Sequence, residues 1–384
     1  MSAPCFELLR GEDPGRPRRG RYQTAHGSFE TPCFAPCGTR GAIKGLLPAQ
    51  VREAGVELIL CNTYHLALRP GAELVEEAGG LHQFIGWPGP ILSDSGGYQV
   101  FSLEGKREVT DEGVRFAGAE SGKALFLDPA EALHIQRALG SDIAMVLDEC
   151  PPAGATPGRL LTAHRRTLAW ARRSREIHAR HGGAERGQAL FGILQGGSDP
   201  GLRREAAAEL ALLDFDGYAI GGVSVGESKG EIYETVRQTT PFLPAERIHY
   251  LMGVGEPGDL FECALSGIDL FDCVTPTRHG RNHQVFVPEG TLRLKHAAHT
   301  RAHVPLQEGC PCPCCTGFTR AYLRHLALSN EMLAAILLSL HNLRFLETLM
   351  QELRARIAED HGEGALRGWF AEAYPGWAGR VGET

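Results

Sequence analysis

The sequence predicts an α/β fold closed as an eight-stranded (β/α)8 barrel, a TIM barrel, and three observations carry that prediction. From about residue 90 to residue 273, short apolar runs alternate with helical patterns, which is how a parallel sheet with crossover helices is written. Each run ends in a polar or glycine-rich set: Asp94, Asp148, Gln195, Gly222, Met252-Gly253 and Asp272. In a barrel those strand ends converge on one mouth, where active sites lie. Third, the 384 residues, 43% hydrophobic and 22% charged, provide a core large enough for one barrel domain spanning 1–384. An open doubly wound sheet is the alternative, but no G-x-G-x-x-G opens a helix after the first strand, so a dinucleotide fold is unsupported.

Taken in order, Pro90-Ile91-Leu92 leads into Ser93-Asp94-Ser95-Gly96-Gly97. Asp128-Pro129 opens a helix by the N-cap-then-proline signal, and Gly140 closes it. Ile143 to Leu147 runs into Asp148-Glu149-Cys150-Pro151-Pro152, and a long basic helix follows from about Arg159 to Arg180. Leu190 to Leu194 ends at Gln195-Gly196-Gly197, before a helix over 201–212. Gly217 to Ile220 ends at Gly221-Gly222, before a helix over 230–239. Ile248 to Leu251 ends at Met252-Gly253, and after a helix over 258–265, Ile268 to Phe271 ends at Asp272-Cys273. The first 85 residues resist the same partition.

No run approaches the roughly 18 apolar residues of a membrane span, and Met1-Ser2-Ala3-Pro4 lacks a signal peptide's apolar stretch. A cytoplasmic protein with no membrane partner is expected. Of eleven cysteines, seven are scattered singly, as reduced thiols are. The other four crowd into Cys310-Pro311-Cys312-Pro313-Cys314-Cys315, which in a reducing compartment points to metal rather than disulfides. C-x-C-x-x-C followed by a helix bearing His341 offers three thiolates and an imidazole, a closed tetrahedral site suited to structural zinc, one ion per subunit. Spacing alone leaves Cys314 as another candidate ligand. Four protein ligands leave no open position for a catalytic water.

The net charge of −7 argues against indiscriminate coating of nucleic acid. Locally the balance reverses. Between Pro276 and His325 stand Arg278, Arg281, Arg293, Lys295, Arg301, Arg320 and Arg324 against Glu289 and Glu308. That basic stretch overlaps the cysteine cluster, so a zinc-binding subdomain over 285–345 that contacts RNA is expected within the barrel domain.

Three aspartates at strand ends with no open metal position point to chemistry at an anomeric carbon. Retaining glycosyl transfer needs one carboxylate as nucleophile and a second group as acid/base. Asp269 competes with Asp272 for the first role, although strand alternation sends the two to opposite faces.

Six motifs then appear in order: Ser93-Asp94-Ser95-Gly96-Gly97-Tyr98-Gln99-Val100-Phe101, Leu147-Asp148-Glu149-Cys150-Pro151, Gly192-Ile193-Leu194-Gln195-Gly196-Gly197, the segment from Tyr218 to Glu227, Met252-Gly253-Val254-Gly255, and Phe271-Asp272-Cys273-Val274-Thr275-Pro276-Thr277-Arg278. With the cysteines and His341-Asn342-Leu343 they resemble the bacterial tRNA-guanine transglycosylases over nearly the whole chain, from about Phe6 to about residue 355. The resemblance favours Cys310, Cys312, Cys315 and His341 as the zinc ligands and Asp272 as the nucleophile, with Asp94 as general acid/base. It makes Asp148 and Gln195 readers of the guanine edge, with Cys150 beside them, lets the amides of Gly222 and Val223 contact the base, and makes Tyr98 and Met252 its two stacking walls. RNA contacts fall to Gly253, Thr277, Arg278 and Arg281.

The implied reaction exchanges the wobble guanine of tRNAs with GUN anticodons, those for Asp, Asn, His and Tyr, for 7-aminomethyl-7-deazaguanine (preQ1) in queuosine biosynthesis. Cys150 and Val225 are similar to the version that takes preQ1 rather than bulkier queuine. Phe84, Phe318, Tyr322 and His325 resemble a patch used for homodimerisation, and 318, 322 and 325 share a helix face. The chain departs from the family's pattern at Cys61, at Cys314 and in the acid-poor lead-in His303 to Glu308. Two other classes remain to be weighed. A non-catalytic RNA-binding subunit has no need of Asp94, Asp148 and Asp272 together. A barrel metallohydrolase would need histidine or carboxylate metal ligands at the strand ends.

Overall fold

The computed structural model describes residues 3–103, 105, 107–117 and 124–379, so the ends of the predicted 1–384 span lie outside the described residues. Eight parallel strands close into a barrel: β1 (Cys33–Gly38), β2 (Ile59–Cys61), β3 (Ile91–Ser93), β4 (Ile143–Met145), β5 (Ala189–Leu194), β6 (Gly217–Ile220), β7 (Ile248–Leu251) and β8 (Leu270–Cys273). They pair in chain order, and β8 seals against β1 with Leu270 opposite Cys33 and Asp272 opposite Ala35. β5 is buried at every position because helices cover one face and the barrel interior fills the other.

The helices fall where their end signals put them. Asp128 accepts a hydrogen bond from the Glu131 amide to start Pro129–Leu139, and Gly140 ends that helix at φ 68°. Thr156, Asp199 and Ser228 cap Pro157–Arg180, Pro200–Ala211 and Lys229–Thr239 in the same way. Two strands differ from the sequence expectation by two residues, β4 at its end and β8 at both ends, where it runs on to Cys273. β4 stops at Met145, two residues early, and β8 begins at Leu270 rather than Ile268. At both places one backbone bond still reaches the neighbouring strand, from the Val146 amide to the Phe191 carbonyl and from the Asp269 amide to the His249 carbonyl.

The end opposite the mouth is plugged. A three-stranded antiparallel sheet (Cys5–Arg10, Arg19–Thr24, Gly27–Thr31) lays Tyr22 against Phe29 and edge-on to Phe191 of β5. Fully buried Arg18 pairs with fully buried Asp269 at 3.0 Å and also donates to the Arg247 carbonyl. Nearby, His26 and His82 each bond one oxygen of buried Asp142. Asp269, the competitor for the nucleophile's role, is thus committed to closing the barrel floor.

The long helix Met332–Ala358 is, among the described residues, the one helix long and apolar enough to cross a membrane, and 67% of its apolar window is buried inside the fold. Its Leu346, Leu349, Met350 and Leu353 pack in the same core as the barrel strands. Asn342 on this helix accepts from the Phe286 amide and donates to the carbonyls of Pro276 and Gln284, fastening it to the segment after β8.

Removing one member of a fully buried ion pair strands the other charge in a medium that solvates it poorly. Arg18→Met is therefore expected to destabilise the chain by about 3–5 kcal/mol, read from urea unfolding. An unchanged midpoint would show that the floor pair contributes nothing.

Candidate active site

Asp272, the third residue of β8, lies at the mouth and is 9% exposed. Its Oδ1 accepts from the Tyr250 hydroxyl at 2.6 Å and from the Gly253 amide at 2.9 Å, and its Oδ2 accepts from the Cys37 thiol at 3.2 Å. Burial holds the carboxyl above its ordinary range, and these three donors pull it back toward ionisation.

Asp94 follows β3. Its Oδ1 accepts from the backbone amides of Thr63 (2.9 Å) and Gly96 (3.3 Å), and its Oδ2 accepts from the Asn62 amide. Burial pushes its pKa up to about 7 against those donors, and the charge of Asp272 adds to the rise. The two carboxyl groups therefore feel one another across the same mouth, three strands apart around the cylinder. Each accepts three donors and burial raises both, Asp94 to about 7, and a carboxyl that titrates near neutrality beside a second carboxylate suits acid/base chemistry.

Asp148 and Gln195, after β4 and β5, are joined by a hydrogen bond from the Gln195 amide nitrogen to the carboxylate at 2.7 Å. Burial raises Asp148 to about 6. The Gln195 Oε1 is buried without a partner among the described residues. Such an orphaned acceptor costs free energy until a donor reaches it. Glycines make the approach feasible. A Cβ on Gly97 would lie 1.8 Å from Asp148 Oδ1, and one on Gly222, at φ +66°, would lie 2.4 Å from Gln195 Oε1. Cys150, 6% exposed, lies just beyond Asp148, with its thiol pushed up to about 12 by burial and by Asp148. Val223 is buried, Tyr98 is exposed on the helix Gly97–Ser102, and Met252 packs partly against the core after β7.

The residues expected to touch RNA lie after β7 and β8. Gly253 has its amide engaged by Asp272. Thr277 is buried on the helix Thr275–Arg281 and accepts from Arg281 at 3.1 Å, so it holds that guanidinium in place, while Arg278 is exposed beside it. Phe318 and Tyr322 stack at 5.4 Å, Tyr322 lies 6.4 Å from His325, and Phe84 and Tyr322 are exposed.

Sequence reasoning missed four groups that shape the two central carboxylates: Asn62, Thr63, Tyr250 and Cys37. Asn62 and Thr63 immediately follow the three-residue β2, so the rule that strand ends carry chemistry would have found them once that strand was recognised. Tyr250 and Cys37 sit within apolar strands and gave no polar signal.

The four expected metal ligands converge. The sulfurs of Cys310, Cys312 and Cys315 and the His341 Nδ1 all lie within 4.8 Å of one another, with sulfur–nitrogen separations of 3.8, 3.6 and 3.3 Å. Tetrahedral bonds of about 2.3 Å to sulfur and 2.0 Å to nitrogen imply separations of about 3.5 Å. The His341 Nε2–H donates to the Phe286 carbonyl at 2.8 Å, which leaves Nδ1 as the ligand atom. This cluster could hold a metal ion. Cys314 points instead into a small apolar core with Val285, Leu323 and Leu338, and burial raises its thiol well above the ordinary range.

The family model described as queuine tRNA-ribosyltransferase matches residues 13–375. Curated proteins of that name are similar over nearly their full length. The one from Symbiobacterium thermophilum is 47% identical over 95% of this chain and 92% of its own. Those from Solidesulfovibrio magneticus and Xylella fastidiosa are 48% and 49% identical, over 98% and 93% of this chain and 99% and 94% of theirs.

Because the four candidate ligands tie the helix Pro313–Gly317 to the core-packed helix Met332–Ala358, losing one should loosen the shorter helix. Cys312→Ser is expected to purify with less than about half the bound metal and to expose the 285–345 segment to proteolysis. Full metal content in that variant would exclude Cys312 as a ligand.

Proposed function

The chain belongs to the queuine tRNA-ribosyltransferase family of pentosyltransferases that act on transfer RNA, and from that premise we propose that it exchanges a wobble guanine by double displacement through a covalent aspartyl–ribose ester. The observation that supports this most directly is the pair of unlike carboxylates at one mouth. Asp272 attacks the ribose C1′ as the C1′–N9 bond breaks, and Asp94 gives its proton to the departing guanine. The incoming base then loses a proton to Asp94, attacks C1′ and frees Asp272.

Asp148 accepts from the N1–H and exocyclic amine of the base, and the unpaired Gln195 oxygen and the amides of Gly222 and Val223 are at hand for the remainder of its edge. Tyr98 and Met252 flank its faces, a use suited to an aromatic and a thioether. To reach side chains as buried as Asp148, Gln195 and Asp272 the nucleotide must be turned out of the anticodon loop, as other base-modifying enzymes require. Arg278 and Arg281 grip neighbouring phosphates, Gly253 and Thr277 lie along the same path, and the 285–345 subdomain extends the footprint over the loop.

Cys150 and Val225 favour preQ1 as the incoming base, with guanine as the product released. The substrates are the tRNAs for Asp, Asn, His and Tyr, whose anticodons are GUN. The metal is structural zinc, because four protein ligands leave no position for reacting water. The protein works in the cytoplasm, as a homodimer joined through the Phe84, Phe318, Tyr322 and His325 patch.

Asp272→Ala should abolish both labelled-guanine exchange and the denaturation-resistant protein–RNA complex. Exchange at the parent rate would remove Asp272 from its role. With Asp94 titrating near 7, adduct formation in a single turnover should fall as pH rises past that value, since the leaving base then finds no proton. Asp94→Asn should lower the rate by about 100- to 10,000-fold and erase that alkaline limb. A limb that persists in the variant belongs to another group.

A further inference from the structure

The two oxygens of Asp272 are held unequally. Oδ1 receives two strong donors, the Tyr250 hydroxyl and the Gly253 amide. Among the described residues, Oδ2 is bonded by the Cys37 thiol at 3.2 Å. A thiol is a weak donor. Register explains the reach: β8 pairs with β1 up to Cys273 opposite Pro36, so Cys37 stands one step further toward the mouth on the neighbouring strand.

We propose that Asp272 attacks through Oδ2, and that Cys37 is a positioning residue whose weak hydrogen bond aligns that oxygen yet releases it as the ester forms. This rests on the reading of Asp272 as nucleophile. The Oδ2–C1′ bond forms while the C1′–N9 pair leaves with guanine, which takes the proton of Asp94. Oδ1 then becomes the ester carbonyl and keeps both strong donors, so the intermediate loses little of the carboxylate's solvation. Oδ2 surrenders only the thiol contact. Burial, with the charges of Asp272 and Asp94, holds the Cys37 thiol protonated, so that it donates and does not repel the carboxylate.

The titratable groups facing Asp272 are Tyr250 on β7, Cys37 on β1, Asp94 after β3 and the adjoining Cys273. Substitution at 37 alters one of them and leaves the others in place. A donor on the carboxylate favours its ionised form, so removing that donor raises its pKa and strengthening it lowers the pKa. Cys37→Val should move the acid limb of single-turnover adduct formation up by about half a pH unit. Cys37→Ser, with a stronger donor, should move it down and lower the plateau rate several-fold. KM for tRNA should stay constant in both.

Opposite shifts of the acid limb support the proposal, because a merely packed side chain would not produce them. Superimposable profiles, or shifts in one direction for both variants, overturn it. Should the valine variant fail to fold, the nearly isosteric serine variant decides alone by the direction of its limb. Peptide mapping of the adduct on the unsubstituted chain separates the two layers: an adduct located away from Asp272 overturns the nucleophile assignment itself.

Discussion

The pairing of β8 with β1 closes the cylinder, and the chemistry of the mouth depends on that closure. The register Leu270 to Cys33 and Cys273 to Pro36 brings residue 272 beside residue 37, some 235 positions apart in the chain. The same closure sets the loop after β3 three strands away, so that Asp94 senses the charge on Asp272. An open sheet of the same strands would leave these ends at opposite edges. The floor pair of Arg18 and Asp269 and the antiparallel plug spend their polar groups on keeping the other end shut. The cylinder therefore admits solvent and ligand from one side.

Burial lifts three carboxylates of the mouth, Asp94, Asp148 and Asp272, above their ordinary values. What distinguishes them is the donor set supplied by neighbouring strands. Asp272 has a phenol, an amide and a thiol. Asp94 has two backbone amides and a side-chain amide. Asp148 shares itself with Gln195. Similar side chains thus meet different surroundings without any change in their own chemistry.

Much of this was legible in the sequence. Asp94, Asp148, Gln195, Gly222 and Asp272 were marked because polarity interrupts an apolar run at a strand's end, and a parallel barrel turns that linear pattern into a ring. The helix caps at Asp128 and Gly140 were legible for an equally local reason. The first 85 residues were not. There β2 spans only three residues and is followed by three short helices, too little length for either periodicity to show, so Asn62 and Thr63 went unnoticed. Tyr250 and Cys37 were hidden for a different reason. Each looks like core in one dimension, and its polar tip meets Asp272 only across a strand pair. The burial of Asp269 at the barrel floor was likewise hidden, because its partner Arg18 is distant in sequence.

Asn342 and His341 are adjacent on one helix, yet they answer to different masters. The imidazole faces the thiolates, and the neighbouring amide clasps the carbonyl of Pro276, on the short helix that bears Arg278 and Arg281. Any loosening of the Cys310, Cys312, Cys315 and His341 cluster would therefore be felt one residue along the helix, at the Pro276 carbonyl and the short helix that carries it.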